Sequence, residues 1–180
     1  MPSSSTVNGK LRTTVLIVAP SDVQAFAEPL MQQYAFDQWM RVPAHITLFY
    51  PFVPFIQLKT ACETLRTLCA SLPPFEVSLA GYARFPLVTY LQIVDPQPIR
   101  AIFDRLFAAF PKYPPYEGEF GTILHPHMTV GVFDTQAEQD EAQFPDYAPF
   151  TFTVDHLHVM TGYSHTLIPF VTFDVIPLNG

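Results

Sequence analysis

The chain has 180 residues, 49% of them hydrophobic and only 14% charged, which suits one compact domain with a substantial core and excludes disorder or a coiled coil. Lys and Arg number 9 against 16 Asp and Glu, a formal net charge of -7. That balance excludes a surface that coats a nucleic-acid backbone, because such binding neutralises phosphates with Lys and Arg; a small local phosphate site stays open.

Met1 to Lys10 is polar and Ser-rich, so residues 1–12 are expected to form a flexible tail ahead of a single domain at 13–177. Thr13 to Ala19 (TTVLIVA) is β-branched and apolar and reads as a strand, far too short for a membrane span or signal; a cytoplasmic protein is expected. Ser21 or Asp22 then caps a helix that ends before Pro43, and Ala44 to Tyr50 (AHITLFY) is a second strand. Leu58, Ala61, Leu65, Leu68 and Leu72 recur at helical spacing over Lys59 to Ser71. Cys62 and Cys69 share that helix seven positions apart, with Cα atoms about 10 Å from each other, beyond disulfide reach.

Phe75 to Ala83 and Leu87 to Val94 read as strands joined by a turn at Arg84-Phe85-Pro86. Ile99, Ile102, Phe103, Leu106, Phe107 and Phe110 give a periodic helix stopped by Pro111, and a loop rich in Pro, Tyr and Gly runs from Lys112 to Gly121. His127 to Phe133 is a strand, Thr135 to Phe144 a short acidic helix, and Phe150 to Thr161 and Leu167 to Ile176 two further strands around the turn Gly162-Tyr163-Ser164-His165. This order predicts an α+β fold whose two halves echo one another.

The echo is carried by His45-Ile46-Thr47-Leu48 and His127-Met128-Thr129-Val130. Residues i and i+2 of a strand share a face, so each motif sets an imidazole beside a hydroxyl. Two such strands facing one cleft suit phosphodiester cleavage: one neutral imidazole activates water, one imidazolium protonates the leaving oxygen, and the hydroxyls donate to the non-bridging phosphate oxygens. The plain alternative is two strand histidines bonded to neighbouring threonines for structural reasons.

With its HITL and HMTV motifs, together with HITLFYPF (His45 to Phe52), Phe75 to Phe85 and Leu124 to Val132, the chain resembles the 2H phosphoesterase superfamily, in particular its 2′-5′ RNA ligase-like and cyclic phosphodiesterase group. The resemblance spans about Thr13 to Pro177. It implies a bilobal α+β fold of two pseudo-symmetric halves around a cleft, with His45 and His127 catalytic and Thr47 and Thr129 binding the phosphate. It also implies metal-independent, cofactor-free chemistry on 2′,3′-cyclic phosphates or 2′-5′ linkages, and leaves open which histidine is the base. Family members that act on RNA tend to have a basic cleft rim, whereas this chain has few Lys and Arg. A small cyclic nucleotide or an RNA terminus is therefore the expected partner of a monomer, without extended nucleic-acid binding or membrane contact.

Parity adds Phe49 to the cleft face as an apolar floor and sends Tyr50 to the core. Tyr82, Arg84 and Phe85, placed at a turn, are candidates for stacking on a base and pairing with phosphate, and His125, Tyr163 and His165 are further candidates for reaching a ligand. A different class of reading uses His125 with His127 and His156 with His158, two H-x-H pairs of the kind that ligate zinc or iron on strands. In that second run Val154 and Leu157 cannot both face inward on one unbroken strand. A non-catalytic module that binds nucleotides or a protein in the same cleft is the remaining alternative.

Overall fold

The computed structural model describes residues 9–147 and 149–180. In chain order the elements are β1 (Leu11–Val18), α1 (Ser21–Tyr34), α2 (Phe36–Arg41), β2 (His45–Phe49), α3 (Leu58–Cys69), β3 (Phe75–Phe85), β4 (Val88–Ile93), α4 (Gln97–Ala109), β5 (Met128–Val132), α5 (Gln136–Glu141), β6 (Phe150–Val154), β7 (His156–Tyr163) and β8 (Val171–Pro177). The strands build two antiparallel four-stranded sheets, ordered β2-β1-β7-β8 and β5-β4-β3-β6. The fold is α+β in two halves, as the sequence implied.

The halves interleave along the chain. One sheet takes two strands from each end, and the other takes the middle four. The switch falls at Asp155, which splits the expected single strand Phe150 to Thr161 into β6 and β7. This resolves the parity conflict, since Val154 and Leu157 are both buried but on strands of different sheets. The Leu178 amide donates to the Asp155 carbonyl at 2.7 Å and ties the end of β8 to the crossover.

The main core lies among the sheets and helices, and a smaller cluster of Leu16, Val42, Met160 and Phe170 packs apart from it. Leu58, Ala61, Cys62, Leu65 and Cys69 of α3 and Ile99, Ile102, Phe103 and Leu106 of α4 are buried at the i, i+3, i+4 spacing that the sequence displayed. Both cysteines are free and buried. β1 is central and buried from Thr13 to Ile17, so it is covered on both faces.

Four expectations change. The tail is shorter than residues 1–12, because Leu11 and Arg12 already pair with Tyr163 and Gly162 of β7; residues 1–8 lie outside the described residues. The first helix is two helices, broken at Ala35, whose backbone (φ -145, ψ 44) leaves the helical region while its amide still bonds Met31 O. No Gly or Pro marks that position. Tyr82, Arg84 and Phe85 lie on β3, and the turn is Pro86-Leu87: proline ends the strand with its fixed φ, and Leu87 takes φ 63. The last strand begins at Val171, not Leu167, because Phe170 turns aside to donate its amide to Arg41 O at 2.8 Å.

Candidate active site

The two motif strands are edge strands of different sheets, and β2 lies against β5. Each carries the same irregularity. Opposite β1, Leu16 pairs with Thr47 and Val15 with Phe49, so Leu48 is an extra residue. Opposite β4, Tyr90 pairs with Thr129 and Thr89 with Gly131, so Val130 is the extra residue. Both bulges follow the threonine of the motif, and a bulge bends the strand and re-aims the side chains beyond it.

The first bulge corrects the expectations for Phe49 and Tyr50. Past Leu48 the parity inverts, Phe49 joins Val15 on the core face, and its ring packs on Phe52 and Phe103. Phe49 is no part of the cleft floor. Tyr50 takes the cleft side instead.

Between the sheets is a cavity of about 610 Å³ lined by His45, Thr47, His127 and Thr129 together with Tyr50, Phe85, Tyr116 and His125. Among the described residues no Asp or Glu lines it, and Arg41 is the only Lys or Arg that does. A chain of net charge -7 has thus cleared carboxylates from one cavity, which favours an anionic ligand there. Much of the remaining wall is apolar, with Leu16, Val42, Val88 and Phe170 among its residues, so charge interactions beside it are stronger than in bulk water.

His45 and His127 are held alike. The Nδ1–H of His45 donates to Pro43 O at 2.7 Å, and that of His127 to His125 O at 2.7 Å. A carbonyl only accepts, so each Nδ1 carries the proton and each Nε2 remains the free nitrogen. Burial pushes the His45 imidazole down to about 4, opposed by the Pro43 carbonyl and reinforced by His127. Burial lowers His127 as well, against its bond to the His125 carbonyl. The His127 ring stands edge-on between Phe85 and Tyr90, with centroids 5.2 and 5.5 Å away, which fixes its plane.

Tyr116 is a cavity residue that sequence reasoning missed. It sits in the Pro115–Gly118 turn with φ 52 and ψ 38, and its amide donates to Tyr50 O at 2.7 Å. Its phenol is raised by burial, and the adjacent Thr47 hydroxyl partly offsets this. Nothing in the Pro, Tyr and Gly-rich loop separates this tyrosine from Tyr113, whose hydroxyl bonds Gln57 instead. Gln38 and Arg41 were missed for a similar reason, since α2 reaches the cavity only through the unsignalled break at Ala35.

A model of the 2′-5′ RNA ligase superfamily matches residues 19–166. The chain belongs to that superfamily. Its relatives include a candidate phosphoesterase of Geobacillus kaustophilus, 25% identical over 154 residues that cover 81% of this chain and 85% of the relative, and a second from Geobacillus thermodenitrificans, also 25% identical with the same coverage. The fold resembles Escherichia coli LigT solved with 3′-AMP, at TM-score 0.66 and 15% identity over 94% of this chain and 99% of LigT. It also resembles the protein TT0787 of Thermus thermophilus, at TM-score 0.60 and 18% identity over 94% and 98%. Membership of the 2′-5′ RNA ligase superfamily carries a 2H phosphoesterase type of activity.

On this 2′-5′ RNA ligase superfamily fold, the cavity brings together five of the residues singled out from sequence besides the motif threonines: His45, His127, His125, Phe85 and, on the unexpected face, Tyr50. The rest lie elsewhere. Tyr82 packs on Phe144 and donates to Pro145 O at 3.0 Å, because β3 carries it away from the hairpin end. Arg84 pairs with Asp140 at 3.0 Å, so its charge is spent at the surface. Tyr163 and His165 are exposed at the β7 end and do not line the cavity. His156 and His158 face each other with Nε2 atoms 3.0 Å apart, also outside the cavity, so the two H-x-H pairs do not converge into one ligand set. Among the described residues no three His, Cys, Asp or Glu form a metal-holding group, and no helix is long and apolar enough to cross a membrane.

Proposed function

We propose that the protein hydrolyses 2′,3′-cyclic phosphates, or 2′-5′ phosphodiester linkages, of small nucleotides or RNA ends, without metal, through His45 and His127. The observation that carries this reading is the matched pair of carbonyl-bound histidines whose free Nε2 atoms belong to one carboxylate-free cavity. The fold it shares with a protein solved with 3′-AMP supports a nucleoside phosphate as the ligand.

His45 is the base and His127 the acid. His45 is the more deeply buried of the two, so the singly protonated pair keeps its proton on the half-buried His127. Water gives its proton to His45 Nε2 as its oxygen bonds phosphorus. The bond from phosphorus to the ribose oxygen breaks, and that oxygen takes the proton from His127 Nε2. The Thr47 and Thr129 hydroxyls donate to the non-bridging oxygens, where charge gathers in the transition state. The anion also stabilises the imidazolium that burial by itself disfavours.

Hydrolysis of 2′,3′-cyclic nucleotides in excess EDTA tests the reading, with the double variant His45→Ala/His127→Ala as the control for contamination. Turnover should survive EDTA, vanish in the double variant, and fall at least ~10²-fold in either single variant, the scale of losing a general acid or base. Turnover that EDTA abolishes, or that the double variant retains, sinks the mechanism; binding without turnover makes the cavity a nucleotide-binding module.

A further inference from the structure

The His and Thr quartet accounts for one phosphate, yet the cavity holds another cationic group. Arg41 lies at the end of α2, and its Nε donates to Asp37 O at 2.9 Å, one turn back. That bond pins the guanidinium to the helix end and leaves both terminal nitrogens without a hydrogen-bond or ion-pair partner among the described residues. Arg12, Arg66 and Arg84 are each paired with a carboxylate, while Arg100 donates its Nε to Leu124 O and Arg105 donates to Ser71 Oγ; Arg41 alone of the arginines lines the cavity. Gln38, three residues earlier and so on the same helix face, also lines the cavity, and its side-chain amide has no partner among the described residues. Neither residue bonds His45, Thr47, His127 or Thr129.

A guanidinium with two free NH₂ groups matches two phosphate oxygens, and here no carboxylate competes for it. The cavity, at about 610 Å³, has the size of a site for a whole nucleotide and not for one phosphate. We propose that Arg41 and Gln38 form a second phosphate subsite, so that the preferred substrate is a nucleoside cyclic phosphate bearing a further phosphoryl group on its 5′ oxygen. This rests on the reading of the quartet as the reacting-phosphate site. It goes further by naming a doubly phosphorylated substrate class and the residues that select it. Gln38 donates its amide to the same oxygens, and the sparse charge of the remaining wall keeps longer polyanions out.

The test compares adenosine 2′,3′-cyclic phosphate with the same compound carrying a 5′-phosphate, in the wild type and in Arg41→Gln, at fixed ionic strength. The readout is the ratio of the two kcat/KM values, which is independent of the amount of active protein. The 5′-phosphate should raise kcat/KM at least tenfold in the wild type, mainly through KM, and Arg41→Gln should bring the ratio close to one. A wild-type ratio near one overturns the proposal, and so does a preference that survives in Arg41→Gln. A variant that loses both substrates equally, with the ratio intact, places Arg41 on the reacting phosphate and overturns it too. If neither compound turns over, the proposed hydrolysis of cyclic phosphates has failed. Calorimetric titration with adenosine 3′-phosphate and adenosine 3′,5′-bisphosphate then decides the subsite alone, tenfold tighter binding of the bisphosphate in the wild type and equal binding in the variant being expected.

Discussion

The ring of Phe170 occupies the space that a side chain on Gly162 would need. A Cβ built on Gly162 overlaps the Phe170 ring, and Phe170 is both buried and part of the cavity wall. Gly162 sits on β7 opposite Arg12, so the strand cannot move away without breaking its pairing to β1. The glycine is thus what allows this wall of the site to close.

Gly162→Ala should therefore destabilise the fold by about 1–3 kcal/mol, the range for forcing extra volume into a packed site. The two residues act as one unit, so the effect should shrink when Phe170 is also replaced by Ala. Thermal unfolding of the two single variants and the double variant measures this. Additive losses would mean that the ring does not compete with the Cβ.

Stability should depend on pH through His45. Its folded-state pKa, about 4, lies below the usual 6.5, so between these values the unfolded chain binds a proton that the folded chain refuses. The His45 contribution is complete above pH 6.5 and is lost as pH falls toward 4, a swing of about 3 kcal/mol. Urea unfolding of the wild type and His45→Gln across that window should show a flatter pH dependence for the variant. Parallel curves would place the titration elsewhere. His127, shifted the same way, adds to the slope in both proteins.

The rate should show the same two groups. One histidine must be neutral and the other charged, so kcat/KM should be bell-shaped, and burial of both places its maximum on the acid side of about pH 6.5. The kcat profile should lie at higher pH, because bound phosphate favours the imidazolium. A rate that climbs steadily from about pH 5 to 9 is incompatible with this pair of groups.

Thr47→Val and Thr129→Val should each lower kcat by roughly 10²-fold while leaving KM and thermal stability little changed, as expected of donors that act on transition-state charge. Thr129 lines the cavity with no hydrogen bond from its hydroxyl to another described residue, and the Thr47 hydroxyl faces Tyr116, so neither is committed to holding the backbone. Full activity in both variants would remove the hydroxyls from the mechanism.

Periodicity alone made the elements and the motif faces legible. The helical stripes of α3 and α4 and the alternation of His45 with Thr47 are local properties, set by 3.6-residue and 2-residue repeats of side-chain direction. The pairing of the two H-x-T motifs on strands was equally plain. Long-range geometry decided what periodicity does not encode. The bulges at Leu48 and Val130 arise from pairing with β1 and β4, and the first of them inverted Phe49 and Tyr50. The sheet switch at Asp155 depends on which neighbours each half-strand meets, and the entry of Arg41 and Tyr116 into the cavity depends on a helix break at Ala35 and a left-handed conformation at Tyr116 and Glu117 that neither residue type favours. Sequence by itself determined which side chains are available for chemistry and which of them share a strand face, because side-chain identity and strand parity are local. Only the tertiary structure decided which charges and rings surround that chemistry, because register, bulges and helix ends answer to partners far away in the chain.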